Sequence, residues 1–185
     1  MKEDTAKQLY FIAIIPPSPI LEDAMELKNY FKEKYNSKAS LNSPPHITLH
    51  MPFQWKEEKE NVLLERLASF AQQHPSFEMS LSNFGCFDPR VIFMDVAKNE
   101  TLEGLQKELR RFCKRELNLF NANYKEHAYH PHITLAFRDL RKSEFVEAWE
   151  EFRVRKFNAT FQVSSIVLLK HDGARWQLFS EFNLK

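Results

Sequence analysis

Glycine is scarce in this chain, three residues among 185, and no Ser/Gly-rich or Pro-rich stretch reaches linker length. Such a chain offers no flexible joint, so its length reads as one domain or two tightly joined lobes. Cysteine is equally sparse. Cys86 and Cys113 fall in different predicted elements without a C-x-x-C spacing. That excludes the multi-bridge framework of a small secreted domain and makes a reducing cytoplasm the expected compartment. Charge of one sign is also lacking: 26 Lys and Arg against 25 Asp and Glu leave a formal net charge of +1. A broad electrostatic surface for duplex DNA or an anionic membrane is therefore not expected, and any anion site must be local. The apolar stretch near the N-terminus, Leu9 to Ile15, is seven residues ended by two prolines. That is too short for a signal peptide or a membrane span.

What the chain does have is apolar bulk. Hydrophobic residues make up 43% and phenylalanine alone contributes seventeen, enough for a sizeable core. Periodicity predicts a strand at "QLYFIAII", a helix over 21–35, a strand at "HITLH", a helix over 57–73 and a strand at "FEMSLSNF". The order then restarts with a strand at "RVIFMDVA", a helix over 102–117, a strand at "HITLAF" and a helix over 143–152. A closing hairpin of "TFQVSSIVLLK" and "RWQLFSEFNL" turns at "HDGA".

The two halves share more than their order of elements. The pentapeptide PHITL occurs at Pro45 to Leu49 and again at Pro131 to Leu135. Chance would produce such a pair in only about one chain of this length in a few hundred. The repeat, roughly 8–84 and 90–185, predicts one bilobal domain over 1–185: two pseudo-symmetric α+β lobes, each an antiparallel sheet with helices on its outer face, and a cleft between them.

Alternation along a strand sets His46 and Thr48 on one face and Ile47 and Leu49 on the other, with His132 and Thr134 set against Ile133 and Leu135 likewise. The apolar pairs fit a core and the polar pairs a cleft. Imidazole titrates near neutrality, so two histidines across a cleft can serve as acid and base. Threonine hydroxyls two residues on can donate to the non-bridging oxygens of a phosphoryl group. A lone His-x-Thr is most often ordinary sheet surface; two copies in phase at corresponding points of a repeat point to a shared site.

These residues resemble the two-histidine (2H) phosphoesterase superfamily, whose mark is a pair of His-x-Thr-x motifs in a bilobal α+β fold. Landmarks of the likeness are "LYFIAIIPP", "PPHITL", "GCFDPRVIFMDV", "HPHITLAF" and "WQLFSEFNL". The resemblance implies a phosphoesterase that needs no metal or other cofactor. Its catalytic histidines would be His46 and His132, with His46 the proton donor and His132 the base, and Thr48 and Thr134 would hold phosphate. Relatives often carry arginine where Phe137 stands here; Arg138 follows it, in phase with His132 and Thr134 if the strand continues, and is the expected phosphate-binding cation. The implied reaction is hydrolysis of a 2′,3′-cyclic phosphate, at an RNA end or on a small nucleotide, to a 2′-phosphomonoester. A 2′-5′ RNA ligase and a non-catalytic nucleotide- or RNA-binding module of the same fold are the alternatives, and a monomer is expected.

Other residues carry weaker signals. His50 is in phase with His46 and Thr48 and is a candidate for the cleft or for the surface. His127, His130 and His132 invite a metal reading, which the missing cysteine or carboxylate ligand spacing disfavours. Phe53, Trp55, Phe87 and Phe137 are candidates to stack a base, and Arg90, Lys170 and Arg175 to supplement a phosphate site.

Overall fold

The computed structural model describes residues 7–121 and 128–185. In chain order they form β1 (Lys7–Ile14), α1 (Ile20–Tyr35), β2 (Ile47–Lys56), α2 (Glu60–Ala71), β3 (Phe77–Phe87), β4 (Val91–Val96), α3 (Glu100–Glu116), β5 (His132–Ala136), α4 (Lys142–Phe152), β6 (Asn158–Val163), β7 (Ser165–His171) and β8 (Trp176–Asn183). Short 3₁₀ turns lie at Ala39–Asn42 and Glu57–Lys59. None of the described helices is long and apolar enough to cross a membrane.

Local sequence accounts for these elements. In α3 the buried residues Leu102, Leu105, Gln106, Leu109 and Cys113 recur at helical spacing, and the Asn99 side chain caps the first turn by accepting from the Leu102 amide at 2.9 Å. Along β1, Tyr10, Ile12 and Ile14 enter the main core beneath the helices, while Phe11 and Ala13 join Val167 and Leu169 in a smaller cluster on the opposite face.

All eight strands belong to one antiparallel, curled sheet in the order β6-β3-β4-β5-β2-β1-β7-β8. The fold is α+β, as expected, with a difference: the two lobes are halves of a continuous sheet rather than separate sheets. β2 and β5 meet in the middle through one residue pair, Ile47 with Ile133. The halves are also not contiguous in the chain. β3 leaves the first half to pair with β4 and β6, and β7 crosses back to pair with β1. Helices cross as well, since α1 packs against β5 and α3 against β2. The segment expected to be one strand, "TFQVSSIVLLK", is therefore two, parting at Ser164 because β6 extends one half and β7 the other.

Gly85 is a point where this sheet tolerates no side chain. It pairs with Phe93, and a Cβ there would sit 2.4 Å from the Phe93 ring, itself 1% exposed. We expect Gly85→Ala to lower stability by about 1–3 kcal/mol through overpacking. Gly104, within α3 and with open space around it, is the control: Gly104→Ala should raise stability by about 0.5–1 kcal/mol. Urea unfolding of the three proteins measures both.

Candidate active site

The junction of β2 and β5 sets the geometry of the site. Ile47 and Ile133 are fully buried partners, which fixes the antiparallel register of the two His-x-Thr segments. Continued by one residue each way, that register puts Thr48 across from His132 and Thr134 across from His46. All four polar residues are half-buried, whereas Ile47, Leu49, Ile133 and Leu135 are buried. The four thus share the face turned away from the core.

Each histidine is oriented in the same way. His46 Nδ1 lies 2.7 Å from the Pro44 carbonyl and His132 Nδ1 lies 2.7 Å from the His130 carbonyl, two residues earlier in both motifs. A carbonyl can only accept, so Nδ1 carries the proton in both rings and Nε2 is the nitrogen left for chemistry. Each ring also rests on a phenylalanine from the neighbouring strand of its own half, Phe11 for His46 and Phe93 for His132, with ring centroids 4.7 Å apart in both cases.

Two cavities meet at Thr48. The larger, about 880 Å³, is lined by His132, Thr48, Met51, Cys86, Phe87 and Tyr129 among others. The smaller, about 230 Å³, holds His46, Thr48, Phe137, Arg138, His171 and Trp176 in its wall. The motif strand is held in place from outside: the Tyr129 hydroxyl donates to the Thr48 carbonyl at 2.9 Å, and the buried Gln106 amide donates to the Leu49 carbonyl at 3.3 Å.

The electrostatics of the two histidines differ. Burial pushes the His46 imidazole down to about 4, with further lowering from the Lys28 ammonium and from His132; only the Pro44 hydrogen bond opposes it. His132 is also lowered by burial and by the neighbouring His130 ring, while the hydrogen bond to the His130 carbonyl and the Asp95 carboxylate act to raise it. Asp95 is the cross-strand partner of His132 and accepts from the His130 ring at 2.9 Å.

His46, Thr48 and Arg138 are brought together in the smaller cavity, and His132 with Thr48 in the larger. Thr134 follows His132 on the same face but contributes to the wall of neither of these two cavities. Arg138 arrives by a different route from the one expected. β5 stops at Ala136, and a left-handed backbone at Arg138, φ +56°, turns the chain so that the guanidinium lies over the Phe137 ring at the cavity wall.

His50 is fully buried, edge-on to Phe53, because register shifts in β2 on either side of its pairing with Ile12 take it out of the alternation that Ile47, Leu49 and Phe53 follow. Phe53 is likewise core, and the Trp55 indole donates to the Lys59 carbonyl outside the cavities. Phe87 and Phe137 do line them. Lys170 is held by Glu57 and Glu60, and Arg90 and Arg175 line neither cavity. His127 lies outside the described residues, among which no three metal-ligating side chains converge. Phe11, Phe93, Asp95 and Lys28 were not evident from sequence; the signal available for the phenylalanines was their place in the strands that open each repeat.

Comparison with known proteins gives a consistent result. The model of the 2′-5′ RNA ligase superfamily matches residues 16–175. A protein of Geobacillus kaustophilus named as a candidate phosphoesterase is 29% identical over 176 residues, covering 94% of each chain. One of Oceanobacillus iheyensis with a similar name is 29% identical over 178 residues, covering 95% of this chain and 97% of its own. Among solved structures, E. coli LigT complexed with 3′-AMP superposes with a TM-score of 0.71 at 23% identity, covering 97% of this chain and 99% of LigT. TT0787 of Thermus thermophilus gives 0.68 at 20% identity, covering 96% and 97%. LigT has also been crystallised with ATP, with NADP⁺ and with phosphate.

The histidine environments lead to a pH prediction. In an NMR titration of the imidazole protons, His46 should show its midpoint near pH 4 and His132 below 6.5. The unfolded chain keeps the ordinary value, so between pH 6.5 and 4 it binds a proton at His46 that the folded chain does not. The associated stability is present above that window and lost as pH falls through it, so the urea midpoint should be lower at pH 5 than at pH 7.

Proposed function

Because the chain belongs to the 2′-5′ RNA ligase superfamily, we propose that it is a phosphoesterase that opens 2′,3′-cyclic phosphates, on RNA ends or small nucleotides, to 2′-phosphomonoesters. The observation that carries this reading is the pair of histidines oriented by equivalent backbone hydrogen bonds on either side of one threonine-lined junction. The larger cavity has the size and aromatic lining to take a nucleoside, and the nucleotide complexes of LigT support a ligand of that class.

In this mechanism the phosphoryl group sits over the junction, its non-bridging oxygens receiving hydrogen bonds from Thr48 and Thr134 and charge from Arg138. One imidazole accepts a proton from water through Nε2. The resulting nucleophile attacks phosphorus in line, the bond to the 3′ oxygen breaks, and the other imidazole delivers its Nε2 proton to that oxygen. The proton gained at one ring and lost at the other balances after exchange with solvent. No step calls for a Lewis acid.

The smaller cavity on the His46 side favours keeping one further reaction in view. With Arg138 and Trp176 in its wall, it offers a cation and an aromatic face to an RNA 5′ end whose hydroxyl would replace water, which is the 2′-5′ ligase direction.

His46→Ala and His132→Ala should each lower turnover of a 2′,3′-cyclic nucleotide by about 100-fold or more with the fold intact by circular dichroism. Thr48→Ala and Thr134→Ala should cost less, at most a few kcal/mol of transition-state stabilisation. Near wild-type activity in either histidine variant would sink the mechanism. Phosphorus NMR of the product distinguishes the 2′ from the 3′ ester.

Chelation provides a separate check. Activity should survive excess EDTA once elemental analysis finds the protein free of zinc, manganese and magnesium. Loss of activity that is reversed by adding metal back would overturn the two-histidine scheme.

A further inference from the structure

Helix α1 turns Ile20, Ala24, Lys28, Phe31 and Tyr35 into the core, and the lysine among them is 1% exposed. Its Nζ donates to the Ser40 carbonyl at 2.8 Å and to the Ser43 carbonyl at 3.0 Å. Both hydrogen bonds go to neutral dipoles, and burying an ammonium with such partners is costly. Burial brings Lys28 down to about 7. A leucine or methionine would fill the same place in the stripe without that cost, so packing alone does not account for a lysine here.

The two carbonyls locate its effect. Ser40 belongs to the 3₁₀ turn before the first motif, and Ser43 immediately precedes Pro44, whose carbonyl orients His46. Ala39, Asn42 and Ser43 from this loop wall the smaller cavity beside His46. The loop is gripped at its start by Asp139 from the other half, which accepts from the Ser37 hydroxyl and the Lys38 and Ala39 amides at 2.8, 2.8 and 2.9 Å.

We propose that Lys28 is a positioning residue for His46: it staples the loop that orients the imidazole and, as a buried cation behind the motif, biases that ring toward the neutral, proton-accepting form. Among the described residues, the other charged or titratable groups around His46 are His132 from β5, Arg138 from the loop after β5 and His171 from β7. The carboxylate that grips the loop, Asp139, is engaged by its three donors. His132 has Asp95 and His130 beside it instead. The inference rests on the reading of His46 as catalytic, but its test does not require turnover.

The test compares wild type with Lys28→Met, which removes charge and staple, and Lys28→Gln, which removes charge but keeps an N–H donor for the loop. The His46 imidazole signal, identified by its loss in His46→Gln, is titrated by NMR without substrate. Its midpoint should rise by at least about half a pH unit in both variants, while the His132 midpoint moves less. Lys28→Met should be at least as resistant to urea as wild type, since a buried charge has been removed. With a cyclic nucleotide as substrate its turnover should fall about tenfold. If Lys28→Met does not fold, Lys28→Gln decides. A His46 midpoint equal to that of wild type in the folded variants overturns the proposal. A shifted midpoint in a protein that turns over no cyclic phosphate would leave Lys28's role intact and overturn the functional reading instead.

Discussion

Everything at the centre of this molecule depends on Ile47 lying against Ile133. That pair is the seam of an eight-stranded sheet, and it does two things at once. It closes the core, because both side chains are fully buried. It fixes the register that sets each histidine opposite the other motif's threonine. A slip of one residue in either strand would turn that motif's histidine into the core and its isoleucine into the cleft. A seam of one pair is slender, and the fold reinforces it from behind: α1 and α3 each lie across to the opposite half, and Glu151 on α4 gathers the Tyr30 and Tyr35 hydroxyls and Lys34 from α1.

A symmetric scaffold is well suited to chemistry that needs two imidazoles, and badly suited to telling them apart. The proposed mechanism requires one ring to hold a proton while the other lacks it, so the symmetry has to be broken by groups around the motifs. Here the breaking is electrostatic. A buried ammonium stands behind one ring and a carboxylate paired with a third imidazole, Asp95 with His130, beside the other, although the orienting hydrogen bonds and phenylalanine supports are matched in the two halves.

The repeat and its alternation were legible in the sequence because PHITL writes both faces of a strand in five letters. The α+β class and the helix spans followed from periodicity for the same reason. Lys28 was not legible: a lysine in an amphipathic stripe reads as the solvent edge of a helix, and only the fold reveals carbonyls waiting for it. The split at Ser164 was hidden because "QVSSIVLL" has no glycine or proline to mark a boundary between strands. His50 was assigned by an alternation that shifts in β2 register interrupt. Arg138 was expected on a strand that ends before reaching it. In each case the missing information was long-range pairing, which local pattern does not encode.

The crossing of β3 and β7 bears on how the chain is made. As the protein emerges from the ribosome, β1 has only β2 for a neighbour until residues past 165 appear, and β3 waits for β4 and β6. Neither half can be completed by its own repeat, so an ordered N-terminal half cannot precede synthesis of the C-terminal one. Contacts so distant in sequence slow folding and leave strand edges open meanwhile. The same interlock means that each closed lobe is built from strands of both ends of the chain, so neither can unfold without disturbing the connections of the other.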